Sequence, residues 1–370
     1  MISIDQFDYH LPPELIAQFP AEPRDSCRLL DLNRQTGELH HRTFRDLLNL
    51  LDANTVIIRN NTKVLPARLL GRKDTGGKCE VLLVHQLEST DPSRTTRWEC
   101  LTKPGLKANQ TVSFFLPGET AAFLTAQCSP DSDFSSYTRV LDFDCAEGTF
   151  YSRILELGHT PLPPYITEAP KDEGTLRDIY QTTYAKHVGS VAAPTAGMHF
   201  TSQLDEALKA KGVEIYEVTL HVGLGTFLPV QEEQLAQKRL HKEYFELTTE
   251  TATALNAAKA AGKQMLAVGT TTTRVLESCA DHTHRLQAQR GVTELFIQPG
   301  DTFKFVDALL TNFHLPKSSL LMLLTAFVSA PNTSQAFTSF AESAAGKAYK
   351  AAVAEGYRFF SFGDAMYVHS

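Results

Sequence analysis

Apolar residues recur along this chain with two different periods, and the architecture is expected to change where the period changes. Runs 27–32 and 38–41 read as a hairpin around the turn 33–37, and 44–51 has helical spacing. The β-branched run 55–59 reads as a strand, and the opening LPPELIAQF as a short helix. From 60 to 150 the helical spacing disappears. Six β-rich runs, 67–70, 79–87, 98–101, 111–116, 121–128 and 137–143, alternate there with turn clusters. Short strands at such intervals predict a small closed sheet or barrel. Helical and strand patterns alternate again after 150. The expected fold is therefore a mixed α/β main domain, 1–59 and 151–370, interrupted by an inserted all-β barrel domain, 60–150.

The most distinctive stretch of the second α/β part is 184–230. Its residues 189–197 are small and uncharged, so backbone N–H groups there can approach a ligand closely. Thr201 is placed to cap a helix with Leu204, Ala207 and Leu208 at helical spacing, and Gly212 to stop it. A strand, 213–222, alternates Ile215, Val218 and Leu220 with polar neighbours and runs through His221 towards the glycine loop 223–229. Two loops suited to a ligand thus flank one helix–strand unit, each beside a histidine and a phenylalanine (His199 and Phe200, His221 and Phe227). Elsewhere 150–157 and 250–261 are expected as helices and 167–176 as a polar loop. The strand 264–268 should feed into the threonine run 269–273, with a helix beginning near Arg274. Runs 295–298, 307–310 and 358–361 read as strands. Ser318 or Ser319 caps an apolar helix, and Phe337, Phe340, Ala341, Ala344 and Ala348 line one face of a last helix.

Composition narrows the classes. A chain of 370 residues is long enough for a sizeable core. Its longest strongly apolar run, 320–328, is too short to cross a bilayer, and the opening MISIDQFDYH lacks the basic and apolar regions of a secretory signal. The six cysteines have no metal-ligand spacing. A cytoplasmic monomer with reduced thiols, no bound metal and no membrane contact is expected. The net charge of −7 argues against an undifferentiated nucleic-acid binder, yet local basic patches exist. Residues 60–107 hold nine Lys/Arg against five Asp/Glu, whereas 108–150 hold one against six. The barrel should therefore have a basic and an acidic side if its halves segregate in space.

Candidate chemistry concentrates in the loops. The run 269–273 opens a helix, where free N–H groups and the positive dipole end attract an anion, with Arg274 adjacent. It is not a P-loop, and no GxGxxG follows the first strand, so a phosphotransferase and a Rossmann dehydrogenase are disfavoured. His199, His221 and His314 suit proton transfer because imidazole titrates near neutrality. His221 is the first choice as base. His199 comes second, since a helix start depresses its pKa. Phe200, Phe227 and Phe313 would either stack on a base or pack the core. Asp364 and Glu243 are acid/base candidates or surface charges.

The segments GSVAAPTAGMHFT, TLHVGLGTFLPV, AVGTTTTRVLES, TNFHLPKSSLLMLL and YRFFSFGDAMY closely resemble the S-adenosylmethionine:tRNA ribosyltransferase-isomerase family of queuosine biosynthesis. The resemblance starts at FDYHLPPELIAQFP, takes in the Arg24-Asp25 pair and continues to the last turn. It implies transfer and isomerisation of the ribosyl moiety of S-adenosylmethionine onto 7-aminomethyl-7-deazaguanine at the tRNA wobble position. Adenine and methionine would leave, giving epoxyqueuosine-tRNA. S-adenosylmethionine would be a co-substrate and the tRNA anticodon loop the partner, with no metal.

The expected catalytic residues are His221, His199, His314 and Asp364. Co-substrate contacts are expected from Thr195, Gly197, Phe200, Gly223, Gly225, Thr226, Phe227, Gly269, Thr270, Thr271, Arg274 and Asn312. For tRNA they are Arg68, Arg72, Lys73, Lys78, Lys238, Arg239 and Lys242. The chain departs from the family at Asn61 and Lys63, where Asp and Arg are common, and at Lys238, where His is. Two rival readings are a non-catalytic tRNA-binding module and a nucleotide-dependent transferase acting on a phosphorylated small molecule.

Overall fold

The α/β parts build one large sheet in the computed structural model, which describes residues 2–170, 172–223, 230 and 232–370. Its order is Gln289–Leu295, Arg239–Leu247, Glu214–Leu220, Thr55–Asn60, Gln264–Val268, Ala308–Asn312, Ala365–His369, Arg28–Asn33 and Leu39–Thr43. The four central strands, Glu214–Leu220 through Ala308–Asn312, run parallel. Arg239–Leu247 and Ala365–His369 flank them antiparallel. Parallel strands are stable only when both faces are covered, and the pleat arranges this. Val56, Ile58 and Ala267 pack with Leu255, Val275, Leu321 and Ala348. Ile57, Leu266 and Val268 pack on the other side with Phe44, Leu204 and Leu208. The first layer is built from the helices Thr249–Ala260, Gly269–Cys279, Ser319–Phe327 and Ala344–Ala354, and the second from Ser202–Ala210.

All six β-rich runs between 60 and 150 form strands: Arg68–Lys73, Lys78–Leu87, Thr96–Lys103, Thr111–Phe114, Leu124–Cys128 and Thr138–Phe143. They close into an antiparallel barrel, which leaves no free edge. Leu69, Val81, Trp98, Val112, Phe114 and Phe143 fill its core. The helix Glu147–Leu157 adds Phe150, whose ring lies 5.0 Å from Phe143 and 5.7 Å from Trp98. The chain reaches the barrel from the middle of the large sheet. Thr62–Val64, directly after the central strand, pairs with His187–Ser190, and Arg68 bridges to His159 on the return.

Some elements differ from the expectation. The helix placed near Arg274 starts at Gly269, because the hydroxyls of Thr272 and Thr273 donate to the carbonyls of Val268 and Gly269 at 2.7 and 3.1 Å. Bonded back in this way, threonine fits a helix start. Within 167–176 a helix begins, Glu173–Ile179, capped by Asp172. The strand expected at 295–298 is Gln289–Leu295, and its unpredicted partner is Arg239–Leu247. Gln289–Leu295 is the sheet edge and Arg239–Leu247 lies next to it, and in both strands polar residues mask the alternation. Segment 358–361 is not a strand; it packs Phe359 and Phe360 into the core, Phe360 at φ 69°. The strand follows at Ala365–His369. The last helix starts at Ala344, after Phe337, Phe340 and Ala341, and the opening segment makes only a 3-10 turn, Pro13–Leu15. All six cysteines are free and buried. Among the described residues no helix is long and apolar enough to cross a membrane.

Candidate active site

The four parallel strands end on the same side of the sheet, where ligand clefts of open α/β sheets form. A cleft with a cavity volume of about 90 Å³ lies there, room for one end of a nucleoside-sized ligand. Its walls come from Tyr165, Tyr180, residues 192–196, Val222, Gly269, Thr270, Thr271, residues 311–315, Ser318, Leu320, Phe360 and Ser361.

Two buried asparagines hold these pieces in register. Asn60 Oδ1 accepts from the N–H groups of Leu220 (3.0 Å) and Thr62 (3.1 Å), while its Nδ2 donates to Leu220 O (2.9 Å) and Thr271 Oγ1 (3.3 Å). Asn312 accepts from Thr195 Oγ1 (3.0 Å) and donates to His199 Nε2 (3.1 Å) and Phe360 O (3.1 Å). The small-residue loop, the helix start and the C-terminal motif are thereby tied together. Asn312 has its polar atoms committed to the scaffold.

Gly269 turns the chain from strand to helix at φ 84°, a left-handed conformation that costs a residue with a Cβ about 1–2 kcal/mol. The first-turn N–H groups of the helix have no intrahelical acceptor, so Gly269, Thr270 and Thr271 offer the cleft partial positive charge. Arg274 does not join them. It is buried, its guanidinium paired with Glu243, and its Nε donates to Leu295 O at 3.1 Å. The other carboxylate oxygen of Glu243 accepts the N–H of Gly223 at 3.1 Å.

Of the remaining expected co-substrate contacts, Thr195 lines the cleft. A Cβ at Gly197 would lie 1.9 Å from Tyr184 Oη, so close packing explains that glycine. Phe200 is fully buried edge-on to Phe44 at 5.1 Å, away from the cleft. Gly225, Thr226 and Phe227 lie outside the described residues.

The three histidines stand differently to the cleft, and neither His199 nor His221 is among its lining residues. His314 lines it, with Nε2 2.8 Å from Thr311 Oγ1, and burial pushes its pKa down to about 3. His199 lies beneath Asn312 with Nδ1 3.2 Å from Cys27 Sγ. Burial first, then Arg358 and Arg24, lower it to about 3. His221 immediately precedes the cleft residue Val222. Its Nδ1 lies 2.8 Å from Thr62 Oγ1 and its ring stacks on Tyr244 at 5.6 Å. Burial, then His187 and His85, lower it to about 4. The near-neutral titration expected from sequence is therefore replaced by three imidazoles that are uncharged at pH 7. Asp364 is also a scaffold group: its oxygens accept the N–H groups of Arg28 (2.9 Å) and Arg358 (2.8 Å).

Sequence reasoning missed Tyr165, Tyr180 and Ser361. Tyr165 Oη and Ser361 Oγ are 2.8 Å apart. The buried Tyr180 hydroxyl faces Ala193 and Ser361 without a well-formed hydrogen bond to either. The available signals were the proline turn before Tyr165 and the YRFFSFGDAMY motif around Ser361. The departure at Asn61 has a local reason. Its amide donates to Glu217 Oε2 (3.3 Å) and accepts from Thr219 Oγ1 (2.8 Å), where a carboxylate would face Glu217.

The basic residues are unequal. Arg68 is held by both oxygens of Glu80 (2.8 and 3.0 Å), and Lys73 donates to Gly105 O (3.2 Å). Lys238 pairs with Asp301 (3.4 Å) and Arg239 with Glu294 (3.9 Å). Arg72, Lys78 and Lys242 are exposed and have no ion-pair partner among the described residues.

Comparison with known proteins supplies the context. Residues 4–368 match the family model described as queuosine biosynthesis protein. The chain is 46% identical over 373 residues to the S-adenosylmethionine:tRNA ribosyltransferase-isomerase of Desulfitobacterium hafniense (strain DSM 10664 / DCB-2), covering 99% of this chain and 100% of that protein. The 2.00 Å crystal structure of S-adenosylmethionine tRNA ribosyltransferase from Thermotoga maritima is similar with a TM-score of 0.52 and 34% identity, covering 98% of this chain and 99% of that one.

Proposed function

This chain belongs to the queuosine biosynthesis protein family, and from that membership we propose that it is an S-adenosylmethionine:tRNA ribosyltransferase-isomerase. In this reading the ribosyl moiety of S-adenosylmethionine passes to 7-aminomethyl-7-deazaguanine at the wobble position of a tRNA in the cytoplasm. Adenine and methionine leave, and the nucleotide becomes epoxyqueuosine. The observation that carries the reading is similarity over the whole length to a protein of that activity.

The cleft supports it chemically. Free first-turn N–H groups at Gly269, Thr270 and Thr271 suit the methionine carboxylate, and the rings of Tyr165 and Tyr180 suit a sulfonium. A sulfonium acidifies the neighbouring C5′ protons, so a modest base suffices to remove one. We assign that role to His221, the least depressed of the three imidazoles. His314, in the cleft wall, replaces the deeper His199 as second candidate.

The test is incubation with S-adenosylmethionine and tRNA carrying the modified base. Equal release of adenine and methionine with a mass gain on the wobble nucleotide is expected. Methyl transfer alone from a folded enzyme would overturn the assignment.

A further inference from the structure

A second cavity, of about 430 Å³, adjoins the strand Thr62–Val64 where the chain leaves for the barrel. It shares Tyr180 with the cleft, and no other residue assigned above to the co-substrate lines it. Its charged lining is Arg24, Lys63 and Arg177 against one carboxylate, Asp178.

Two of these cations are immobilised. The Arg24 nitrogens donate to Gln181 O and Asp178 O, both at 2.5 Å. Arg177 donates to Leu155 O (3.0 Å), Gly158 O (2.7 Å) and Glu173 (3.4 Å). These bonds run from N–H groups in the guanidinium planes and fix both side chains at the cavity wall. Lys63 differs: it is exposed and has no partner among the described residues. The cavity also contains a buried hydroxyl, Thr182 Oγ1, that no protein group satisfies. The nearby polar groups of Thr160 and Gln181 are already engaged by Glu173 and by the backbone of Val64.

We propose that this cavity receives one unstacked nucleotide of a single-stranded RNA loop, its phosphate on Lys63, its base against the arginine planes and an edge on Thr182. The inference rests on the functional reading above and deepens it. Unpaired bases are recognised by stacking on arginine planes and by hydrogen bonds to their edges, while phosphate is met by unpaired cations. A nucleotide in this cavity would share the Tyr180 wall with the cleft, a proximity that transfer from one ligand to the other requires.

Two variants test it: Lys63→Glu at the exposed rim, and Ala185→Trp, which fills the cavity from its half-buried wall. The probe is a labelled anticodon stem-loop RNA, read by fluorescence anisotropy at fixed salt, with calorimetry for S-adenosylmethionine. Each variant should weaken RNA binding about tenfold, one strong contact's worth, and leave S-adenosylmethionine affinity unchanged. Unchanged RNA affinity in both variants would overturn the proposal. So would an Ala185→Trp protein that keeps RNA but loses S-adenosylmethionine, since the cavity would then belong to the co-substrate. Failure of the wild type to bind S-adenosylmethionine would count against the functional reading alone, because the RNA comparison still decides the cavity.

Discussion

A histidine moved by burial from an ordinary value near 6.5 to about 3 or 4 carries no proton at pH 7, and His199, His221 and His314 all meet this condition. The sign of the stability effect follows. As pH falls below about 6.5 the unfolded chain takes up protons that the folded chain refuses, so the unfolded state gains and stability declines towards pH 4. The melting temperature should drop between pH 7 and pH 5, and His314→Gln should make that drop shallower. An identical pH profile in the variant would mean that position 314 contributes no depressed group. Catalysis separates the same residues differently. Removing a base takes away transition-state stabilisation and largely spares ground-state binding. His221→Ala should abolish exchange of the C5′ hydrogens of S-adenosylmethionine with deuterated solvent while keeping its affinity within a few-fold, and His314→Ala should retain exchange. Near-normal exchange and adenine release in His221→Ala would return that ring to the scaffold, with Thr62 and Tyr244.

Between elements, the ion pair of Glu243 and Arg274 joins the strand Arg239–Leu247 to the helix Gly269–Cys279, and Glu243 also accepts the N–H of Gly223. Both side chains are buried, so removing one partner strands a charge out of water, a loss of about 3–5 kcal/mol. Glu243→Ala should shift the urea midpoint down by a corresponding amount, and the apolar pair Glu243→Leu with Arg274→Met should recover most of it. A single variant as stable as the wild type would refute the pairing. The same elements explain which parts of the fold were legible in the sequence. Gln264–Val268 was placed at its observed bounds because a strand covered on both faces reads as an unbroken apolar run between turns. Arg239–Leu247 and Gln289–Leu295, the last two strands at one end of the sheet, were not, because exposed polar positions are mixed into their pattern. The threonine helix start was misplaced because only the structure reveals the hydroxyl bonds back to Val268 and Gly269. Likewise the cleft loops announced themselves by small residues. Asn60 and Tyr180 gave no signal, since their roles depend on segments brought together from far along the chain.

At the scale of the whole molecule, the charge split along the barrel sequence becomes a split in space. The strands Arg68–Lys73, Lys78–Leu87 and Thr96–Lys103 of the cation-rich half are neighbours in the barrel, as are Thr111–Phe114, Leu124–Cys128 and Thr138–Phe143 of the acidic half. One side of a protein with net charge −7 can therefore face a polyanion. Within that side the ion pairs rank the residues. Glu80 neutralises Arg68, whereas Arg72 and Lys78 stand opposite each other in register, exposed and unpaired, with Lys103 on the adjoining strand. Each phosphate neutralised releases counterions and adds about 0.7–0.9 to the slope of log affinity against log salt. Charge reversal at Arg72 and Lys78 together should weaken tRNA binding and flatten that slope by about 1.5, two contacts' worth. S-adenosylmethionine binding should not change, because neither residue lines the cleft. Adding Arg68→Glu should cost less than either, since its partner Glu80 already cancels the charge. A salt slope unmoved in the double variant would place the phosphate contacts elsewhere, and Lys242, the unpaired cation of the 238–242 cluster, would be the next residue to reverse.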